Sequence, residues 1–315
     1  MTTYKEVVGT AILDYAGDVP NAVEGQVWYN STGKNFRYLF NNVTGSWATG
    51  NNLNTARYRL AGCGTQTAAL AFGGFSDPVV AITELWNGTN WTEVNDLGTA
   101  RYLLGAAGTN TAALAFGGES PPATPAVLNA TETWNGTNWT EVNNLNTARY
   151  QMGTAGATNT ASLAFGGTPA GAVTETWNGT NWTEVNDLNT SRRQLAGAGT
   201  NTAALAFGGN EGGQTETWNG TNWTEVNDLN TARILLAGAG TSTAALGFGG
   251  GPPNTAATEK WNGTNWTEVA DLNTARAALG GDGTNTAALA FGGSPYAAGY
   301  TEEFTSGPAI ATITS

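Results

Sequence analysis

Trp218–Val226 reads W-N-G-T-N-W-T-E-V, and the same nine letters recur from Trp86, Trp134, Trp177 and Trp261. A block copied along a chain marks one supersecondary unit that buries its core only against neighbouring copies. Within the block, N-G-T-N separates two short runs, and Asn-Gly is a dipeptide that tight hairpin turns favour. Trp218 and Trp223 bracket that turn as a cross-strand aromatic pair worth about 0.5–1 kcal/mol. Upstream, Ala203–Gly209 (A-A-L-A-F-G-G) places Leu205 and Phe207 on one face at strand period, and the glycine pair ends the run. Further upstream, Arg192–Thr200 (R-R-Q-L-A-G-A-G-T) reads as a first strand of small residues suited to a crowded inner wall. Each copy therefore holds four short strands.

The F-G-G marker begins at Phe72, Phe116, Phe165, Phe207, Phe248 and Phe291, in steps of 41 to 49 residues. That period predicts an all-β propeller of six four-stranded blades. First strands are expected to begin near Arg57, Arg101, Arg149, Arg192, Arg233 and Arg276. Third strands lead into Trp86, Trp134, Trp177, Trp218, Trp261 and Phe304. Fourth strands follow Trp91, Trp139, Trp182, Trp223 and Trp266, which leaves the last copy one strand short. Trp47–Arg57 (W-A-T-G-N-N-L-N-T-A-R) has the fourth-strand pattern and is expected to close the ring against strands of residues 276–304, removing an exposed sheet edge. Residues 47–315 then form the propeller and residues 1–46 a small N-terminal β-hairpin module. The alternative is seven blades, with residues 6–50 as a degenerate blade completed by Ala309–Thr314.

The 315 residues include 44 glycines and 12 tryptophans, and only 11% are charged, which describes a turn-rich β protein packed on aromatics. A net charge of −12 argues against nucleic acid, because nothing could neutralise a run of phosphates. Histidine is absent and Cys63 is the sole cysteine, which excludes His-based acid–base chemistry, Cys–His dyads, zinc sites and internal disulfides. Neither cofactor nor metal is expected. Cys63 stands where sibling repeats have alanine and reads as a small core residue. The N-terminus lacks a basic region and a long apolar run, so neither a secretory signal nor a membrane span is expected.

Variation concentrates between each Gly-Gly and the following aromatic. In an up-and-down sheet those second-to-third-strand loops share a face with the residues just after each repeat arginine, which also vary. The candidate ligand-contacting residues are therefore Tyr58, Tyr102, Tyr150 and Arg193 beside the arginines, and Phe75, Asp77, Glu119, Tyr296 and Tyr300 on the loops. Phe75, Tyr296 and Tyr300 are candidate stacking platforms. Drift in tolerant loops explains the same variation without a ligand. Glu84, Glu132, Glu175, Glu216, Glu259 and Glu302 recur in the third strands and can pair with the arginine ring. A structural ion-pair network and an anion or acidic-glycan site at the central pocket are both open readings of that ring.

The order of a Gly-Gly strand end, an aromatic-bearing third strand and a Trp after a short turn resembles the kelch family of β-propellers over about residues 57–304. The usual kelch Tyr before the turn is Trp here, or Phe304 in the last copy. Some kelch-like propellers are copper oxidases with histidine ligands, and this chain has no histidine. Gly25–Tyr38 (G-Q-V-W-Y-N-S-T-G-K-N-F-R-Y) resembles a hairpin module of bacteriophage tail-fibre and other virion proteins, and also reads simply as a hairpin around Ser31–Lys34. Segments such as W-T-E-V-N-D-L-N-T-A-R resemble kelch-like proteins of marine phages, notably cyanophages.

These resemblances imply a non-enzymatic virion component, present in several copies and made in the host bacterial cytoplasm. Residues 1–46 would contact other virion proteins, and the variable loops would bind a host-surface glycan or other receptor. A capsid-decorating or tail-sheathing role with protein contacts is the alternative. A carboxylate pair such as Asp77 with Glu119 would suffice for glycoside hydrolysis, and a cellular kelch scaffold is a further reading.

Overall fold

The computed structural model describes residues 12–121, 126–210, 212–295 and 297–313. Among these residues every regular element is a strand and none is a helix. The chain divides into two compact units, Met1–Gly45 with Ser306–Ser315, and Ser46–Thr305.

The larger unit repeats a four-stranded antiparallel sheet in sequential order. Sheet 4 shows the pattern: Ala196–Gly199, Ala204–Phe207, Thr215–Trp218 and Trp223–Val226. Its register pairs Leu205 with Thr217 and Trp218 with Trp223, the last two rings 5.4 Å apart. Sheets 1, 2, 3 and 5 begin at Ala61, Gly105, Gly153 and Ala237. Sheet 6 takes Gly280–Gly283, Ala287–Phe291 and the strand starting at Thr301, and its fourth member is the N-terminal strand that ends at Gly50. The arrangement is consistent with a kelch-like propeller repeat.

Two cyclic sets of hydrogen bonds join the six sheets. In one, each fourth-strand indole donates to a third-strand threonine of the preceding sheet. Trp139 Nε1 bonds Thr83 Oγ1, Trp182 bonds Thr131, Trp223 bonds Thr174 and Trp266 bonds Thr215. Trp91 of sheet 1 reaches Thr301 of sheet 6 at 2.9 Å, and Trp47 of the N-terminal strand reaches Thr258 of sheet 5 at 3.2 Å. Trp47 thus fills the sixth indole position, with its ring 5.0 Å from Phe248 and 5.2 Å from Phe304. The six indole bonds run in a cycle through the six sheets.

The first strands are rich in Gly and Ala because the second-strand phenylalanines lie over them. A Cβ on Gly197 would strike the Thr154 carbonyl and the Phe165 ring, so only glycine lets those backbones approach. Phe72, Phe116, Phe165, Phe207, Phe248 and Phe291 are all fully buried. The small residues and the large rings are two halves of one packing solution.

In the smaller unit, Val27–Asn30 and the strand from Asn35 form a hairpin, with Val27 opposite Tyr38 and Asn30 opposite Asn35. Leu13–Tyr15 adds to it in parallel. Trp28 is fully buried there.

Candidate functional site

The segment between a fourth strand and the next first strand carries the repeat arginine. The first strands do not begin near that arginine, as the sequence pattern predicts, but four residues later, at Ala61, Gly105, Gly153, Ala196, Ala237 and Gly280. The intervening residues do something else. The first of them bridges to the loop after Gly-Gly: Tyr58 to Phe75, Tyr102 to Glu119, Tyr150 to Thr168, Ile234 to Gly251 and Ala277 to Ser294. The second turns the chain with a left-handed φ of 54–59° at Arg59, Leu103, Gln151, Gln194, Leu235 and Ala278.

Those six left-handed residues form the second cyclic set. Each N–H donates to the carbonyl of its counterpart in the neighbouring sheet. Leu103 bonds Arg59, Gln151 bonds Leu103, Gln194 bonds Gln151, Leu235 bonds Gln194, Ala278 bonds Leu235, and Arg59 bonds Ala278, all at 2.7–3.0 Å. The result is a backbone collar on the loop side of the ring. It surrounds a cavity of about 110 Å³ lined by the collar residues and by Leu60, Leu104, Met152, Leu195, Leu236 and Leu279.

The repeat arginines are not part of that opening. Their side chains are 0–1% exposed, and each pairs with the third-strand glutamate of its own repeat: Arg57 with Glu84 at 3.3 Å, Arg101 with Glu132 at 2.9 Å, Arg149 with Glu175, Arg192 with Glu216 at 2.9 Å, Arg233 with Glu259 at 2.8 Å and Arg276 with Glu302 at 3.1 Å. The guanidinium also caps strand-end carbonyls, as Arg192 does for Gly208 and Gln214. The glutamate accepts backbone N–H groups of the connecting segment, as Glu216 does from Asn189. Burial lowers each arginine's pKa and the facing carboxylate opposes the shift. The Nε of all six lies buried without a partner. The geometry is that of a clamp fixing each connection to its sheet, with no face turned to a ligand.

On the loop side of sheets 1 and 2 the aromatic candidates do meet. Tyr58 and Phe75 lie 5.4 Å apart, and Phe75 meets Tyr102 edge-on at 6.1 Å. The Arg59 guanidinium sits 5.3 Å from the Tyr58 ring and 5.8 Å from the Tyr102 ring, within cation–π range. Tyr102 is buried and hydrogen-bonds Glu119. Its phenol is pushed up to about 12, first by burial and then by that bond and the Glu119 charge. Tyr102 therefore stays a neutral donor, and Glu119 already has an internal partner.

The remaining candidates are dispersed. Tyr150 bridges to Thr168, one sheet further on. Asp77 is exposed, with a left-handed φ of 55°. Arg193 is exposed beside a separate groove of about 380 Å³ formed with Thr168, Pro169, Ser191 and Asn210. Tyr300 is 46% exposed on the loop of sheet 6, and Tyr296 lies outside the described residues.

Along the first strands a further cavity of about 340 Å³ is walled by Gly and Ala, with Cys63 and Asp282 as its only ionisable lining. Burial raises both pKa values, so the thiol is an inert, protonated group. Among the described residues there is no cluster of three or more His, Cys, Asp or Glu able to hold a metal, and no helix long and apolar enough to cross a membrane. No protein-family model matches the chain, and no curated protein matches it.

The collar residues escaped the sequence pattern, although a signal was present. Position two after each arginine reads R, L, Q, Q, L, A, varying as position one does, ahead of a nearly constant leucine at position three.

Proposed function

We propose that this chain is a non-enzymatic, kelch-like propeller of a bacteriophage virion, an appendage or fibre component that binds a host-surface glycan on its loop side. The observation that carries the glycan reading is the Tyr58–Phe75–Tyr102–Arg59 group. It places apolar ring faces beside a planar cation, the combination that packs against a sugar's C–H face while the guanidinium bonds its hydroxyls. It lies where the repeats differ in sequence while the opposite turns repeat almost unchanged. No nucleophile–base pair accompanies it, and Glu119 is engaged by Tyr102.

The virion reading rests on the resemblances of the repeats and of Gly25–Tyr38. In the smaller unit Val23, Phe36 and Val43 are 66%, 42% and 62% exposed, and apolar side chains left in water suit docking to other virion proteins. Individual glycan contacts are weak, and several copies per particle supply avidity. The test is a glycan array probed with the wild-type chain and with Phe75→Ala. Removing one aromatic platform is expected to weaken binding about 3- to 10-fold, for about 0.5–1.5 kcal/mol. Wild-type binding that Phe75→Ala leaves unchanged would overturn the assignment of this face.

A further inference from the structure

In the collar, backbone geometry is held constant while side-chain chemistry changes from sheet to sheet. All six positions carry a left-handed backbone, yet none of them is glycine in a chain with 44 glycines. Left-handed non-glycine residues each carry strain that glycine would relieve. What the strain retains is a set of side chains around one cavity: Arg59, Gln151 and Gln194 as donors, with Leu103, Leu235 and Ala278 between them.

The charge at Arg59 is unusual for this molecule. The Ser46–Thr305 unit has eight arginines, and six of them are consumed in the buried clamps. Among the described residues Arg59 has no ion pair, its Nε is buried without a partner, and the cavity lining contains no carboxylate. Its guanidinium also rests against Tyr58 and Tyr102, so one residue belongs to both the collar cavity and the aromatic group. The guanidinium supplies a fork of N–H donors that matches the two oxygens of a carboxylate, and the primary amides of Gln151 and Gln194, set apart from it on the collar by Leu103 on one side and by Leu235 and Ala278 on the other, add further donors on the same rim. The cavity volume admits an acid group and little more.

We infer that the collar is the acid-recognition subsite of the loop face, and that the preferred ligand is a saccharide bearing a carboxylate, a uronic acid or similar acidic sugar. This rests on the glycan reading above. In it the sugar ring packs at Tyr58 and Phe75 while its carboxylate enters the collar and meets Arg59, Gln151 and Gln194.

The experiment uses the full chain and two probes, methyl glucuronide and methyl glucoside, with dissociation constants from NMR titration. A charge-assisted bond to Arg59 is expected to give the glucuronide a preference of about 10- to 100-fold. Arg59→Gln should abolish that preference, lowering glucuronide binding by about 10-fold or more beyond any loss of glucoside binding, and Gln151→Leu should reduce the preference in part, with melting temperatures confirming that both variants fold. Raised salt should also erode the preference. Equal wild-type binding of the two sugars, or a preference that survives Arg59→Gln, overturns the subsite and leaves the glycan reading intact. Binding of neither sugar overturns both. Binding only of an acidic peptide, lost in Arg59→Gln, would assign the collar to a protein ligand and likewise overturn the saccharide proposal.

Discussion

Changing Glu216 to Gln tests the arginine clamps. The Glu216 carboxylate is 2% exposed and accepts from Arg192 Nη2, the Asn189 backbone N–H and Asn189 Nδ2, all within 2.9 Å. An amide keeps the shape but turns one acceptor into a donor among three donors, and leaves the Arg192 charge buried without a counter-charge. Breaking one side of a buried pair costs about 3–5 kcal/mol. For a unit of this size that is a loss of roughly 6–20 °C in melting temperature. The informative comparison is the double variant Arg192→Met with Glu216→Leu. Many buried ion pairs can be exchanged for apolar residues at little cost. Here the exchange would orphan the Asn189 N–H and remove a donor from the Gly208 carbonyl, at about 1–3 kcal/mol per buried group. The double variant should therefore remain destabilised by about 2–6 kcal/mol. Urea unfolding followed by tryptophan fluorescence reads both quantities. A double variant as stable as the wild type would show that the pair does not hold the backbone, and the clamp account would fail.

Three further outcomes follow from the packing. Asp282→Ala should stabilise the protein by about 1–3 kcal/mol at pH 8, because it removes a buried carboxyl oxygen with no partner. Burial raises the Asp282 pKa, so above the ordinary aspartate value the unfolded state releases a proton that the native state keeps. Wild-type stability accordingly falls as pH rises through that window, and the gain from Asp282→Ala should shrink at pH 4; an equal gain at both pH values would contradict it. Trp47→Ala should cost about 3–5 kcal/mol by removing the sixth indole and its bond to Thr258, measured by thermal melting. Gly197→Ala should cost up to about 3 kcal/mol in urea unfolding, since its methyl would meet the Thr154 carbonyl, which cannot swing aside as a side chain can.

The repeat made the sheets legible. Trp218, Trp223, Leu205 and Phe207 reveal strand period and pairing at once, and the missing fourth strand of the last copy pointed to Trp47. The arginine ring was less legible. Sequence placed Arg192 and Glu216 in the same repeat but could not show which way the guanidinium turns; that depends on strand-end carbonyls at Gly208 and Gln214, whose availability is set by pairing. The start of each first strand was misplaced because a left-handed residue such as Gln194 or Leu235 gives no local warning: neither is a glycine or an asparagine. The collar is a property of ring closure, in which residues some forty positions apart exchange backbone bonds, and no window of sequence contains it. Tyr58, Phe75 and Tyr102 were each visible as variable aromatics, while their convergence on Arg59 required the fold.

The most direct test of the account is cryo-electron microscopy of the phage particle proposed to carry this chain. The account predicts the chain on a tail appendage or fibre, with residues 1–46 at the junction and the face bearing Arg59, Phe75 and Tyr102 turned outward to solvent. A chain that tiles the capsid, or whose loop face is buried against neighbouring subunits, would contradict the glycan-binding role and leave a purely structural one.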